Sequence, residues 1–200
     1  MEIELKKFAV GLLSVLALSA QAQNLAQPAY ASPFRLIGAL GITFGGDNLG
    51  KVQFTNGDTK TIHAGGTVDL RGGLEYRFPA SPVALELSVG YHFDTVEAKN
   101  GSATFSRWPI DLVLHYSLDP NWRVGLGLRQ STGAELKVDF DSSANEKFKS
   151  NTAPLIEAEY FVTPELAFKA RYATQEYTSK TYPGDKVKGD HFGIYGLVYF

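Results

Sequence analysis

The chain has no cysteine and, among 200 residues, one methionine and two tryptophans. Without cysteine it can build neither a disulfide framework nor a thiolate metal site. Its formal net charge is -2, so it lacks the excess of cations that a nucleic-acid partner would require. It also lacks the long hydrophobic runs of helical membrane proteins. The one segment that comes near, Phe8 to Leu18, falls short of the roughly 20 residues that span a bilayer as a helix. A mean hydropathy of -0.11 suits a water-soluble protein. It equally suits a wall in which apolar and polar residues alternate.

That apolar segment follows Lys6 and Lys7 and precedes Ala20-Gln21-Ala22. This is the order of a secretory signal peptide with an A-x-A cleavage site, so residues 1–22 are expected to be removed on export. Residues 23–33 would then form a short periplasmic segment, and 34–200 the folded domain.

From Phe34 onward the sequence has period two, the period of a pleated strand. "FRLIGALGITF" sets Phe34, Leu36, Leu40, Ile42 and Phe44 on one face, against Arg35, Ala39, Gly41 and Thr43. Seven further stretches repeat the pattern, at 68–78, 85–93, 108–118, 122–129, 156–162, 166–173 and 191–200. None carries a charge on its apolar face. The opposite faces hold Arg35, Arg71, Arg77, Arg123, Arg129, Lys169 and Arg171, balanced by Asp69, Glu75, Glu86, Asp94, Asp111, Glu157 and Glu159. Seven of each sign form a neutral set.

The connections decide which face meets which medium. Three are short and contain proline: "PASP" at 79–82, "DPN" at 119–121 and "TPE" at 163–165. Four are long and polar, at roughly 45–66, 95–106, 132–152 and 176–190. An even number of strands, with short turns at one end and long loops at the other, is the pattern of an outer-membrane β-barrel. Aromatic residues gather at both strand ends. Phe34, Phe78, Tyr116, Trp122, Tyr160, Phe168 and Phe200 lie by the short turns, and Phe44, Phe93, Trp108, Tyr172 and Phe192 by the long loops. Two such belts are expected where a wall crosses two lipid interfaces. The expected fold is all-β: an eight-stranded antiparallel up-and-down transmembrane barrel, preceded by a cleaved signal peptide, with apolar rows outside and charges paired inside.

The chain ends on "HFGIYGLVYF", with Phe192, Ile194, Val198 and Phe200 on one face. This resembles the C-terminal signature of bacterial outer-membrane proteins. With the signal peptide and eight strands it resembles the small OmpA/OmpX/OmpW-type barrels across nearly all of residues 34–200. The resemblance implies an outer-membrane location, a surrounding of lipid and lipopolysaccharide, and recognition of the last strand by the insertion machinery. It also implies a monomer. It says little about activity, because one architecture hosts several.

No cofactor is expected, and no residue set argues for catalysis. His115-Tyr116-Ser117 contains the His-x-Ser pair of the lipid A deacylases, but Leu118 follows and the pair points inward. His92, Asp94, Asp111 and His115 are too widely spread along the strands to converge on a metal. "DFDSSANE" (139–146) begins with calcium-loop spacing but lacks the glycine of the sixth position. The expectation is a non-enzymatic surface or envelope protein with a polar, largely plugged interior. The alternatives are a narrow solute channel, favoured by inward Gly41, Gly73, Gly90, Gly125, Gly127 and Gly193, and a lipid A-modifying enzyme. Lys51, Lys60, His63, Lys180, Lys186 and Lys188 of the long loops are candidate contacts for lipopolysaccharide phosphates.

Overall fold

The computed structural model describes residues 32–53, 59–98, 101–139 and 143–200. The expected signal peptide (1–22) and most of the segment 23–33 lie outside the described residues. Among those described, the chain forms thirteen strands. In order they are β1 (Phe34–Gly45), β2 (Asn48–Gln53), β3 (Thr59–His63), β4 (Val68–Arg77), β5 (Val83–Ala98), β6 (Gly101–Ser117) and β7 (Trp122–Asp139). There follow β8 (Ser143–Ser150), β9 (Thr152–Phe161), β10 (Leu166–Ala173), β11 (Glu176–Ser179), β12 (Lys186–Lys188) and β13 (His191–Tyr199).

Eight of these close a barrel in the circular order β1-β4-β5-β6-β7-β9-β10-β13, every neighbour antiparallel. Closure comes from β1 against β13, in register from Ile37↔Tyr199 to Gly45↔His191. The terminal residue joins this seam. Phe200 N–H donates to the Leu36 carbonyl at 3.0 Å, and Leu36 N–H donates back at 3.2 Å. A closed sheet leaves no unpaired backbone edge, the condition for strands to cross lipid.

The short turns are built from local hydrogen bonds. Asp119 Oδ1 accepts from the N–H groups of Asn121 and Trp122, both at 2.8 Å. Thr163 Oγ1 accepts from Leu166 N–H at 3.1 Å. In the Pro79–Pro82 turn Ala80 adopts φ 51°, a left-handed conformation that costs a residue with a Cβ.

The other end departs from the sequence expectation. The stretches 95–106 and 132–152 are not loops in the main but strand. β5 and β6 remain paired from Val83↔Tyr116 to Ala98↔Gly101. Beyond the barrel, β7 pairs with β8, β8 with β11 and β11 with β12. β2 and β3 form a separate hairpin; Asn56, Gly57 and Asp58, which the sequence suggests as a turn, lie outside the described residues. This hairpin is fastened by Asp47, whose N–H donates to the Lys188 carbonyl at 2.7 Å while its Oδ2 accepts from Lys188 N–H at 2.8 Å.

These extensions enclose a second core. Ile62, Ala64, Val96, Ala103, Phe105, Ala134, Phe148 and Tyr177 are buried together. Phe105 packs edge-on against Phe148 at 5.8 Å and against Tyr177 at 5.4 Å. A bulge on β7 hides this from sequence periodicity. Gly133 takes φ +59°, and the register against β6 shifts there. The inward positions pass from Arg129 and Ser131 to Ala134, so the alternation changes phase by one residue.

Candidate functional site

All fourteen charges expected inside are buried. They form three linked groups along the barrel axis. Near the short turns, Glu75 accepts from Arg35 Nη2 at 2.6 Å and from Arg123 Nη1 at 2.5 Å, with Arg77 at 3.5 Å. Arg123 also donates to Glu159 at 3.2 Å, and the Tyr199 hydroxyl donates to the same carboxylate. The Arg35 guanidinium lies 4.1 Å from the centre of the Tyr199 ring.

In the middle, register sets the partners. Lys169 stands opposite Glu159, and Arg171 opposite Glu157. Lys169 Nζ reaches Glu157 at 2.8 Å, Glu86 at 3.1 Å and Glu159 at 3.4 Å. Arg171 grips Glu157 at 2.6 Å and reaches Asp111 at 2.7 Å. Asp111 is the centre of the third group, held also by Arg71 at 2.6 Å and Arg129 at 2.9 Å. Arg71 continues to Asp69 at 3.0 Å, which accepts from the Tyr195 hydroxyl at 2.9 Å.

Asp94 is the exception. It is buried on the inner face but makes no ion pair among the described residues. Its carboxylate accepts from His63 N–H at 2.9 Å and from the Thr67 hydroxyl at 2.8 Å. It therefore anchors the β2–β3 hairpin instead of joining the charge network, because the hairpin lies directly over the end of β5.

Arg107 was missed by the periodicity, since it falls between the connection read at 95–106 and the strand read at 108–118. It is 1 % exposed and makes the interior eight cations to seven anions. No carboxylate pairs with it among the described residues. Its Nη2 hydrogen-bonds to His92 Nδ1 at 2.8 Å, and its guanidinium lies 5.1 Å from the Phe105 ring centre. It thus forms the boundary between the polar lumen and the apolar core above. Starting that strand one residue earlier would have included it, since it stands four residues before inward Asp111.

Neighbouring side chains cover inward glycines. A Cβ at Gly41 would overlap the Tyr195 ring, and one at Gly193 would meet that ring at 2.7 Å. At Gly125 it would meet His115 at 2.6 Å and Glu157 at 2.7 Å, and at Gly90 it would meet Asp69 at 2.8 Å. The glycines make room for larger inward side chains. A void of about 10 Å³ remains beside Arg71, Glu86, Lys169, Arg171 and Tyr195, the space of one water.

The donor atoms of Glu86, His115 and Glu157 lie within 4.8 Å of one another, close enough to chelate an ion. The Lys169 ammonium already stands between the two carboxylates, where a metal would otherwise supply the positive charge. His92, Asp94, Asp111 and His115 each have separate partners and do not converge. His115 Nε2 bonds to Glu157 Oε1 at 2.6 Å, and Ser117 faces the same interior, away from lipid. Asp139 and Ser143 pair across a hairpin, with the Ser143 hydroxyl on Asp139 Oδ1 at 3.0 Å; residues 140–142 lie outside the described residues.

The outside is apolar. Leu36, Leu40, Ile42, Leu70, Leu87, Leu112, Leu126, Ile156 and Phe168 are all exposed, and so are Phe192, Ile194, Val198 and Phe200. Such continuous exposure has no place in a soluble monomer. The sequence from residue 8 to residue 199 matches the family model for the outer membrane protein beta-barrel domain. The chain belongs to this family. It is a protein of the bacterial outer membrane, and its exposed rows face lipid.

Solved structures that share the barrel include the following two. Neisserial surface protein A is 15 % identical with a TM-score of 0.53, over 86 % of this chain and 100 % of its own. Ail, the attachment invasion locus protein of Yersinia pestis, was solved with the heparin analogue sucrose octasulfate. It is 12 % identical with a TM-score of 0.56, over 84 % of this chain and 98 % of its own. At these identities the likeness is one of fold. No curated protein matches the chain in sequence.

Proposed function

We propose that this outer-membrane barrel is a non-enzymatic surface protein, in which a closed, ion-paired lumen supports a rigid extracellular sheet. The observation that carries the reading is the filled interior. Three linked charge groups, rings seated over glycines and an apolar core above Arg107 leave space for about one water beside the network. Buried ions in such a set hold one another in place, because removing one partner strands a charge in low dielectric. Permeation would require breaking several of these pairs together.

The enzyme reading has no support from geometry. The His115–Glu157 pair faces the lumen, whereas an acyl chain would approach from the outer wall. In this reading residues 1–22 direct export, the exposed row Phe192, Ile194, Val198 and Phe200 is read by the insertion machinery, and the barrel functions as a monomer among lipid and lipopolysaccharide. Planar-bilayer recording tests the central point. The purified barrel is expected to insert without conductance, and steady single-channel steps would establish the narrow-channel alternative in its place.

A further inference from the structure

The lysines of the extracellular sheet are distributed unevenly. On the outward face of the β5–β6 extension stand Thr95, Glu97, Ser102, Thr104 and Ser106, with no cation. On the outward face of β7, β8, β11 and β12 stand Lys137, Lys147, Lys149, Lys180, Lys186 and Lys188, against Glu135, Asp139 and Glu176.

Two of these lysines are paired by contact, Lys137 to Glu135 at 3.3 Å and Lys186 to Glu176 at 2.9 Å. Lys147, Lys149, Lys180 and Lys188 make no ion pair among the described residues. Lys180 follows Ser179, which stands opposite Phe148, and its N–H donates to the Lys147 carbonyl at 2.8 Å. Lys147 and Lys180 are therefore direct cross-strand neighbours, with Lys149 two residues along on the same face. Like charges placed opposite one another destabilise a sheet. Lys147 also stands opposite Glu135 on β7, but Lys149 stands opposite Thr178, so the three lysines share one facing carboxylate, and a bound anion would balance the surplus charge.

Position selects the anion. Trp108 of the outer aromatic belt pairs with Thr132, and Glu135, three residues further along β7, pairs with Lys147. Three residues of tilted strand rise about 7 Å above the belt. That is the depth of the headgroup layer, which adds roughly 5–8 Å to each side of the hydrocarbon. The face also points away from the barrel axis, over the surrounding leaflet. Tyr182, 64 % exposed at the end of the same hairpin, presents an aromatic surface suited to a sugar ring.

Resting on the surface-protein reading above, we propose that Lys147, Lys149 and Lys180 form a docking site for the phosphate groups of a lipopolysaccharide molecule beside the barrel. The sequence suggested Lys180, Lys186 and Lys188 for this role. The fold brings in Lys147 and Lys149 from β8, and gives Lys186 to Glu176. Lys60 sits at the far end of β3, away from this face, and the Lys51 side chain lies outside the described residues.

The test is titration of the detergent-folded barrel with purified lipopolysaccharide and with the same material chemically dephosphorylated. The triple variant Lys147→Gln, Lys149→Gln, Lys180→Gln is compared with Lys60→Gln as control, and heat-modifiable gel migration verifies folding. The triple variant is expected to lose affinity by on the order of tenfold to a hundredfold, and dephosphorylation to cause the same loss. Raising salt should weaken the intact pair. If the triple variant fails to fold, Lys180→Gln alone carries the same expectation with a smaller loss. Undiminished binding by the folded variants, or equal binding of both lipopolysaccharides, overturns the proposal. So does tighter binding of a soluble sulfated polysaccharide, which would assign the face to an external polyanion. A conducting barrel with unchanged phosphate-dependent binding would overturn only the closed-lumen reading.

Discussion

Within single strands of this protein, the barrel part and the part that extends beyond it at the long-connection end reverse which chemistry faces inward. Along β6 the outward row reads Thr104 and Ser106, then Trp108, Ile110, Leu112, Leu114 and Tyr116. The inward row reads Ala103 and Phe105, then Arg107, Pro109, Asp111, Val113 and His115, so the charges enter only from Arg107 on. The backbone keeps its pleat and each row keeps its side. What changes is the medium. In lipid the outer wall meets hydrocarbon, so charges must pair inside; in water the outer wall is solvated, and apolar side chains gain by leaving it. The outward row changes from polar to apolar between Ser106 and Trp108. Arg107 lies at the crossing, under the rings of Phe105 and Tyr177.

The largest effect expected from disturbing this comparison is in the lumen. Arg123→Leu would leave Glu75 and Glu159 without their shared guanidinium and should cost about 3–5 kcal/mol, read by urea unfolding of the barrel in lipid vesicles. Arg107→Leu, by contrast, removes a buried cation that has no salt-bridged carboxylate among the described residues, and should change stability by no more than about 1 kcal/mol. Equal losses at the two arginines would mean that Arg107 has an anionic partner.

Next comes the wall. An arginine at Leu126, mid-band and 51 % exposed to lipid, should cost about 2–4 kcal/mol. The same substitution at Thr104, on an outward row beyond the membrane, should cost close to nothing. Matching losses in that unfolding assay would place the membrane boundary elsewhere.

The smallest effect belongs to the second core. Ile62→Val removes one methylene from a site 1 % exposed and should cost about 0.5–1.5 kcal/mol. It is expected to speed amide hydrogen exchange in β2 and β3 and to leave the barrel strands unchanged. Faster exchange throughout would mean that the two regions unfold as one unit.

Much of this architecture is legible in the amino-acid sequence. The outward rows, the inward charges and the eight barrel strands follow from strict alternation, since only one face of each stretch is free of charge. The sheet beyond the barrel is not legible there, for two reasons that particular residues show. Gly133 inserts a bulge that shifts the phase of β7 just where its outer half begins. In β5 and β6 the apolar inward row is Val96, Ala103 and Phe105 among many small polar residues, too sparse to register as alternation. Arg107 escapes periodicity because it falls between the connection read at 95–106 and the strand read at 108–118, whereas Asp94 is legible as inward and only its partners, on the hairpin that passes over it, are not.

The order of amino acids alone determined that the chain makes a barrel with lipid outside and ions within, because a two-residue period assigns every side chain to a face without knowledge of its neighbours. Which ions meet depended on tertiary structure. Arg71, Arg129 and Arg171 come from three strands to one Asp111, and Lys147 meets Lys180 across a hairpin junction. Such encounters depend on register and closure, which are set by the whole cylinder together.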